Sequence, residues 1–224
     1  MQYQSPSEVI EKIMTLLNIP DDFGMNPDEY EIDEEEYYAE MMQEDFPGAK
    51  ALHGASKFVI VIPDLPYVIK IPFNGSYQDG EFYYFERAHR NAPSDYCYAE
   101  WRKYIDAESV GLECFLAKID YYDADPNGIP YYYQEKVLSA RQYNGKEASR
   151  ASYEKVNSLC ADQMICDEDW LARAIDYYGE ELVTKFIDYV NYIDTDIGAD
   201  LHSNNYGYRE NGEPVILDYS GWND

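Results

Sequence analysis

Two runs of β-branched apolar residues around the turn sequence PDLP constrain the fold of this chain more than any other stretch. The runs lie within "GASKFVIVIPDLPYVIKIPF". Proline and aspartate between two such runs are typical of a tight turn, and alternation of apolar and polar residues is typical of strands. The stretch therefore predicts an antiparallel hairpin, with Gly54 entering its first strand and Lys70 near the end of its second. Taken alone, Lys70 fits a water-facing strand position as well as a functional one.

Helical patterns occur on both sides of this hairpin. In "SPSEVIEKIMTLLN", Ser5 is the expected N-cap and Glu8 its capping-box partner, so a short amphipathic helix is predicted near the N-terminus. In "PSDYCYAEWRKYIDAES", Ser94 or Asp95 is the expected cap of a second helix, with Glu100 near its middle.

The remaining chain alternates again between extended and helical patterns. "ECFLAKIDYYDADPNGIPYYYQEKVL" predicts two strands joined by a turn at DPNG. "DEDWLARAIDYYGEELVTKFIDYVNYIDTDI" predicts a long helix whose apolar stripe is formed by Leu182, Phe186, Val190 and Ile193. "PVILD" then predicts a short buried strand. Together these elements indicate an α+β fold.

The charge of the chain limits its partners. At pH 7 the 224 residues carry a net charge of −27, while a hydrophobic content of 46% still supports a folded globule. Such a chain repels phosphate backbones and anionic lipid, so no direct nucleic-acid or membrane partner is expected, and a basic protein partner is favoured. No stretch has the length and apolarity of a membrane span or signal peptide, so the expected location is cytoplasmic.

Much of this charge lies in one segment. From Asp21 to Asp45 there are twelve acidic residues and no Lys or Arg. The segment is consistent with a solvated face and with a docking surface for a basic partner. A different class of function is also open, because carboxylates on an acidic surface can imitate nucleic-acid phosphates and inhibit a basic protein.

The cysteines indicate no metal site. Their spacing contains no C-x-x-C pair and no cluster with histidine, which argues against structural zinc. We interpret them as reduced, mostly buried thiols. They are Cys97, Cys114, Cys160 and Cys166.

The stretch "GADLHSNNYGYRENGEPVILDYSGWND" places three polar side chains around a hairpin-like turn. Each of Asp200, Asn205 and Asp218 alone fits an ordinary turn or strand end. As a set they suit a nucleoside triphosphate, whose charge requires a lysine and oxygen ligands for Mg²⁺. Asn205 and Asp218 would hold the metal, and Asp200 would orient or deprotonate an attacking hydroxyl.

In this order the motifs resemble the protein kinase-like superfamily. "GADLHSNNYGY" resembles its catalytic loop, because Asp200 and Asn205 have the D-x-x-x-x-N spacing. "LDYSG" is similar to its D-F-G segment, with Asp218 in the metal-binding position. "YVIK" is similar to the strand whose lysine, here Lys70, would hold the nucleotide's phosphates. Glu100 would pair with that lysine.

The resemblance also implies further nucleotide contacts. Residues 131–138 would form a hinge, where backbone groups near Glu135 and Val137 read the adenine edge. Glu86 is a competing partner for the strand lysine. The remaining phosphate contacts would lie in the loop "HGASKFV", at Gly54, Ser56 and Lys57.

The resemblance implies a two-lobed kinase-like fold with a truncated large lobe, binding ATP and Mg²⁺ in a cleft and phosphorylating a protein hydroxyl. Residues 1–47 would be an acidic helical extension, 48–138 the small ATP-binding lobe, and 139–224 a shortened helical large lobe. Regulation through an activation loop is not expected, because only six residues follow Asp218.

Several departures narrow this resemblance. Gly198 and Ala199 replace the usual His and Arg, Tyr219 and Ser220 alter D-F-G, and the loop before the first strand has one glycine. This form is closer to compact bacterial or bacteriophage kinases and to small-molecule kinases. A nucleotide-binding pseudokinase that works by association stays an alternative.

Overall fold

The structure is a computed structural model. It describes residues 8–9, 12, 43, 45–53, 57–72, 75–78, 81–84, 92–124, 130–159 and 167–219. The chain divides into two compact units, the first comprising Met1–Tyr98 and Asp120–Gln134, the second Ala99–Ile119 and Glu135–Asp224. It mixes helices with small antiparallel sheets, as the α+β prediction requires.

The first unit contains a five-stranded sheet and a two-stranded sheet. Its strands are β1 Lys50–His53, β2 Lys57–Val61, β3 Tyr67–Pro72, β4 Gly75–Gln78, β5 Glu81–Tyr84, β6 Ile119–Ala124 and β7 Pro130–Glu135. The larger sheet has the order β1-β2-β3-β7-β6, and β4 pairs with β5. The hairpin predicted around PDLP is confirmed as the antiparallel pair β2–β3, and β6 and β7 are the two strands predicted around DPNG.

The acidic run ends in a contact with the N-terminal region. Lys12 forms an ion pair with Asp45, and its ammonium lies 5.8 Å from the centre of the Phe46 ring. A cation that precedes the run thus neutralises its last carboxylate. Glu8 and Val9 are helical, in agreement with the predicted helix, whereas its predicted start at Ser5 and most of the run lie outside the described residues.

The second unit is mainly helical. Its elements are α1 Ala92–Ser109 from residue 99 onward, a 3-10 turn Glu113–Phe115, β8 Leu138–Ser139, α2 Arg150–Leu159, α3 Glu168–Tyr178, α4 Glu180–Tyr192, α5 Thr195–Asp200, β9 Tyr206–Tyr208 and β10 Pro214–Ile216. The last three strands form an antiparallel sheet in the order β10-β9-β8. Since α1 begins at Ala92, the caps predicted at Ser94 and Asp95 are wrong. None of the described helices combines the length and apolarity needed to cross a membrane.

The predicted long helix is two helices separated by Gly179. This glycine has φ of 85°, a conformation that L side chains rarely adopt, so the helix ends there. Phe186 and Val190 of the predicted stripe are buried, but Ile193 is 74% exposed and its assignment is wrong. The core face of α4 instead includes Val183 and Ile187, and Ile193 is the C-cap at which the helix ends.

The core of the second unit is built on aromatic contacts. The Phe115 ring stacks on Phe186 at 4.3 Å between centroids and lies 4.5 Å from Tyr178. Trp170 is buried and its Nε1 donates to the Val215 carbonyl at 3.2 Å. These contacts attach β10, and therefore the hairpin β9–β10, to the helices.

A second attachment of β10 joins distant parts of the sequence. Leu116 and Ile216 form a parallel bridge, and the Ala117 N–H donates to the Ile216 carbonyl at 2.8 Å. The Tyr219 hydroxyl donates to the Ala117 carbonyl at 2.7 Å. The segment after β10 is therefore held on both its backbone and its side-chain side.

The start of α2 is fixed by one carboxylate of α3. Asp176 accepts hydrogen bonds from the Ser149 N–H at 2.5 Å, the Ser149 hydroxyl at 2.8 Å and the Ser152 hydroxyl at 2.7 Å. Burial alone would raise the pKa of Asp176, but the bonds from Ser149 and Ser152 outweigh it and lower the pKa.

This lowered pKa predicts a pH-dependent contribution to stability. A carboxylate with a depressed folded-state pKa stabilises the fold above its unfolded pKa, and this stabilisation is lost as the pH falls through the folded-state value. We therefore expect Asp176→Asn to lower the free energy of unfolding at neutral pH, and the difference from wild type to shrink in acid. Denaturant unfolding at several pH values measures this difference in the free energy of unfolding. Asp188→Asn, on the exposed side of α4, is the charge control. A difference independent of pH would contradict this account.

Candidate functional site

The hairpin β9–β10 places two of the predicted metal ligands near its open end. Asn205 immediately precedes β9, and one residue lies between the end of β10 and Asp218. The Leu217 N–H donates to the Asn205 carbonyl at 2.7 Å, so the antiparallel pairing continues past the strand ends. Asn205 is buried and Asp218 is half-buried. The Asn205 backbone therefore pairs with Leu217, the residue before Asp218, at the open end of the hairpin.

The predicted catalytic loop is a short helix followed by a turn. Asp200 is the last residue of α5, and the Leu201 N–H donates to the Gly198 carbonyl at 3.3 Å. The Asn205 N–H then donates to the His202 carbonyl at 2.9 Å, which closes the turn. The chain thus leads directly from Asp200 into Asn205 within the same unit.

A buried ion pair fixes the start of α5. Lys103 lies on α1, and its ammonium donates to Asp194 at 2.7 Å and to Asp196 at 3.4 Å. Glu100 is fully buried one helical turn before Lys103, so the two side chains lie on the same side of α1. The helix that carries Glu100 is therefore tied to the segment that leads to Asp200.

In the first unit, two lysines occupy the same face of the sheet. Val59 pairs directly with Lys70, and Lys57 lies two residues before Val59, so both lysines point to the same side. The Cα atoms of residues in such diagonal positions on two paired strands are about 7–8 Å apart. Both are nearly inaccessible, at 3% exposure for Lys57 and 4% for Lys70. Lys70 therefore does not face water, and its ammonium lies 5.8 Å from the Tyr132 ring centre.

Other predicted contacts stay predictions. Gly54, Ser56 and the competing Glu86 lie outside the described residues. Lys70 belongs to the first unit and Glu100 to the second, so each is placed only within its own unit.

The predicted hinge residue Glu135 has a defined set of partners. Its N–H donates to the Lys118 carbonyl at 2.8 Å, and its carboxylate accepts from the Lys118 N–H at 2.7 Å. These two hydrogen bonds with Lys118 use the backbone N–H and the carboxylate of Glu135, but not its backbone carbonyl oxygen. Val137, two residues later, makes no backbone hydrogen bond within the described chain outside the strand pairing.

Arg209, directly after β9, holds the Glu135 carboxylate. Its Nε lies 3.0 Å from both carboxylate oxygens, and its Nη2 donates to Oε1 at 2.6 Å. Nη1 lies 2.7 Å from Glu213 and also donates to the Cys114 carbonyl at 3.2 Å. Nη2 donates in addition to the Leu116 carbonyl at 3.3 Å. One guanidinium thus contacts the predicted hinge residue Glu135, the 3-10 turn and the hairpin.

The electrostatics of this cluster favour a fixed Arg209 cation. Burial would lower the pKa of Arg209, but hydrogen bonds and charge from Glu135, with the charge of Glu213, raise it overall. Burial and the Glu213 carboxylate raise the pKa of Tyr178, whose hydroxyl lies 3.0 Å from Glu213. Burial, Glu113 and Glu213 raise the pKa of the Cys114 thiol to about 11, so this cysteine is protonated at neutral pH.

Arg209 and Lys103 are positions that the sequence motifs did not single out. Their partners are distant in sequence, 74 residues for Arg209 and Glu135 and 91 for Lys103 and Asp194. The one local signal for Lys103 is its spacing of three from Glu100 on a predicted helix. For Arg209 no local signal names the partner.

Comparisons with known proteins find only weak structural similarity to this chain. No protein-family model and no curated protein matches the chain. Among solved structures, the GDP complex of wild-type aminoglycoside 2'-phosphotransferase-IIIa is 12% identical with a TM-score of 0.37, covering 84% of this chain and 73% of that one. The GDP complex of a mutant of that enzyme is 14% identical with a TM-score of 0.34, covering 83% and 72%. These scores assign neither a fold family nor an activity.

Proposed function

We propose that this chain is a Mg²⁺-dependent phosphotransferase of the protein kinase-like type that uses ATP. The observation that carries the proposal is the pairing of Asn205 with Leu217, the neighbour of Asp218, at the open end of a hairpin that follows the short helix ending at Asp200. An ordinary hairpin needs no such set, because turn residues satisfy their own backbone without a distant strand-end carboxylate.

The donor set at the hairpin end suits Mg²⁺. Asn205 supplies an amide oxygen and Asp218 a carboxylate, and Mg²⁺ prefers a few such hard oxygen ligands together with water and substrate phosphates. Within the described residues, no group of three or more His, Cys, Asp or Glu is arranged to hold a metal ion.

The lysine face of the first unit supplies positive charge for the phosphates. A chain with a net charge of −27 repels a triphosphate, so local cations are needed to bind one. Lys57 and Lys70 are both buried on the same sheet face, where their attraction for an anion is screened less than at an exposed surface.

Asp200 provides the proton acceptor of the reaction. The hydroxyl oxygen of the substrate bonds to the γ-phosphorus as its proton passes to the Asp200 carboxylate. The bond between the γ-phosphorus and the β–γ bridging oxygen breaks, and ADP leaves with that electron pair. When bound, Mg²⁺ would neutralise charge on the phosphate oxygens.

The acceptor in this proposal is a hydroxyl on a basic protein. The net charge attracts cationic substrates and repels anionic ones over distances set by salt. Most of the acidic run that would dock such a protein lies outside the described residues, so its role stays a prediction.

Metal-dependent nucleotide binding tests the proposal. We expect wild type to bind ATP far more tightly with Mg²⁺ than with a chelator, and Asp218→Asn to lose about 10–100-fold of the Mg·ATP affinity, because it removes a ligand charge. Isothermal titration measures both. Asp188→Asn, an equal charge change on the exposed side of α4, is the matched control and should bind like wild type.

Three outcomes would change the conclusion. Wild type that binds ATP equally with and without Mg²⁺ would refute the metal assignment. Binding of Mg·ATP without transfer to protein or water would favour the pseudokinase alternative. If no nucleotide binds at all, the acidic mimic of a nucleic acid becomes the better explanation.

A further inference from the structure

We infer that Arg209 is a positioning residue for the nucleotide: it sets the spacing between the base-binding segment, residues 135–138, and the metal end of the hairpin. This inference rests on the proposed function and adds to it a residue outside the kinase-like motifs. Arg209 touches neither end of the nucleotide in this scheme and acts through Glu135.

The base-binding segment and the metal end are joined by one continuous sheet. Residues 135–137 lead into β8, and β8 pairs with β9 through Leu138 opposite Tyr208 and Ser139 opposite Gly207. β9 in turn pairs with β10, which leads to Asp218. All of these residues belong to the second unit, so the spacing is a property of that unit alone.

Strand β9 acts as the spacer in this sheet. Arg209 lies four positions after Asn205, which is about 13 Å at a strand rise of about 3.3 Å per residue. That span is comparable to the length of an extended nucleoside triphosphate. The metal ligand thus lies at one end of β9, and the residue that holds Glu135 lies at the other.

Two contacts fix the hinge against this spacer. The first is the guanidinium of Arg209, which contacts both Glu135 oxygens and whose side chain is 20% exposed. Its planar fork makes contacts that a lysine ammonium cannot make together. The second is Gly207, where an added Cβ would lie 2.6 Å from the Leu138 carbonyl oxygen. β8 can approach β9 this closely because residue 207 has no side chain.

The spacing requirement predicts different effects on a whole nucleotide and on its phosphate part. Mg·ATP must reach both the base-binding segment and the metal end, whereas Mg·tripolyphosphate lacks the base. We expect Arg209→Gln to weaken Mg·ATP binding by about tenfold, the lower range for loss of a supporting contact, and Mg·tripolyphosphate binding by less than about twofold. Arg209→Lys should resemble Arg209→Gln, since the fork is lost.

Isothermal titration of the full chain with both probes tests this, with thermal unfolding of each variant measured alongside. Val183→Ala is the control, because it removes buried volume from the core face of α4 and should lower the unfolding temperature without changing either affinity. If Arg209→Gln fails to fold, Arg209→Lys provides the test.

The outcomes separate this inference from the proposed function. Wild type that binds neither probe refutes the proposed function, and the inference falls with it. Wild type that binds both, with the Arg209 variants unchanged for Mg·ATP, refutes the inference alone. Equal weakening of both probes also refutes it, because the metal end itself would then be damaged.

Discussion

Replacing Asp200 by asparagine is expected to lower the rate of phosphoryl transfer by about 10²–10⁴-fold, the usual contribution of a positioned general base. Asparagine has nearly the same shape and can still donate and accept hydrogen bonds, but it cannot take the proton of the attacking hydroxyl. Because α5 ends at Asp200 and leads directly to Asn205, the substitution preserves the local chain geometry. The loss should therefore be chemical and not conformational.

The measurement is single-turnover transfer of labelled phosphate from Mg·ATP to histones, which supply hydroxyl groups beside basic residues, with water as a second acceptor. Asp188→Asn again controls for charge and should transfer at the wild-type rate. Equal rates for wild type and Asp200→Asn would remove Asp200 from its assigned role. In that case a histidine or another carboxylate near the acceptor would have to be sought.

Removing the charge of Lys103 is expected to cause a large loss of stability. The side chains of Lys103 and Asp194 are only 10% and 15% exposed, so Lys103→Met leaves the Asp194 carboxylate poorly solvated and without its 2.7 Å partner. Breaking a buried pair from one side costs about 3–5 kcal/mol of the free energy of unfolding. Chemical denaturation of the variant measures this directly.

An exposed pair on α4 provides the matched control. Lys185 contacts Glu181 at 2.9 Å, but these side chains are 61% and 87% exposed, and Lys185→Met should give no resolvable change. The double variant Lys103→Met with Asp194→Asn should recover part of the loss, because no buried charge is left unpaired. A double variant as unstable as the sum of the two single ones would show that the ion pair is not the cause.

Local patterns predicted the elements on which the candidate site is built. Alternation around PDLP located the strand of Lys70, and the buried run PVI located β10 beside Asp218, because strand periodicity and turn residues act within a few positions. Gly179 was less visible, since a glycine within a helical pattern is often tolerated. Ile193 is the exposed C-cap of α4, and the apolar spacing does not show where the helix ends.

The sequence patterns could not predict the register of paired strands or the contacts between distant residues. The shared face of Lys57 and Lys70 depends on the register of β2 against β3, which a one-residue slip would reverse. Arg209 and Lys103 find their partners through tertiary packing of α1, β9 and the 3-10 turn, and no local preference specifies such contacts. The motifs therefore named the residues that would touch a nucleotide and missed those that would hold them in place.

The bridge between Leu116 and Ile216 has a consequence for the order of folding. Tyr219 and its acceptor Ala117 are 102 residues apart, so these contacts close a long loop, whereas α2, α3 and α4 are near neighbours in sequence. Loop closure costs entropy before its contacts repay it, and local helical contacts generally form sooner. We expect the helices of the second unit to assemble first, and β10 to dock onto residues 112–117 late. The end of the hairpin that carries Asn205 and Asp218 would thus be completed only after the helical scaffold that supports it has formed.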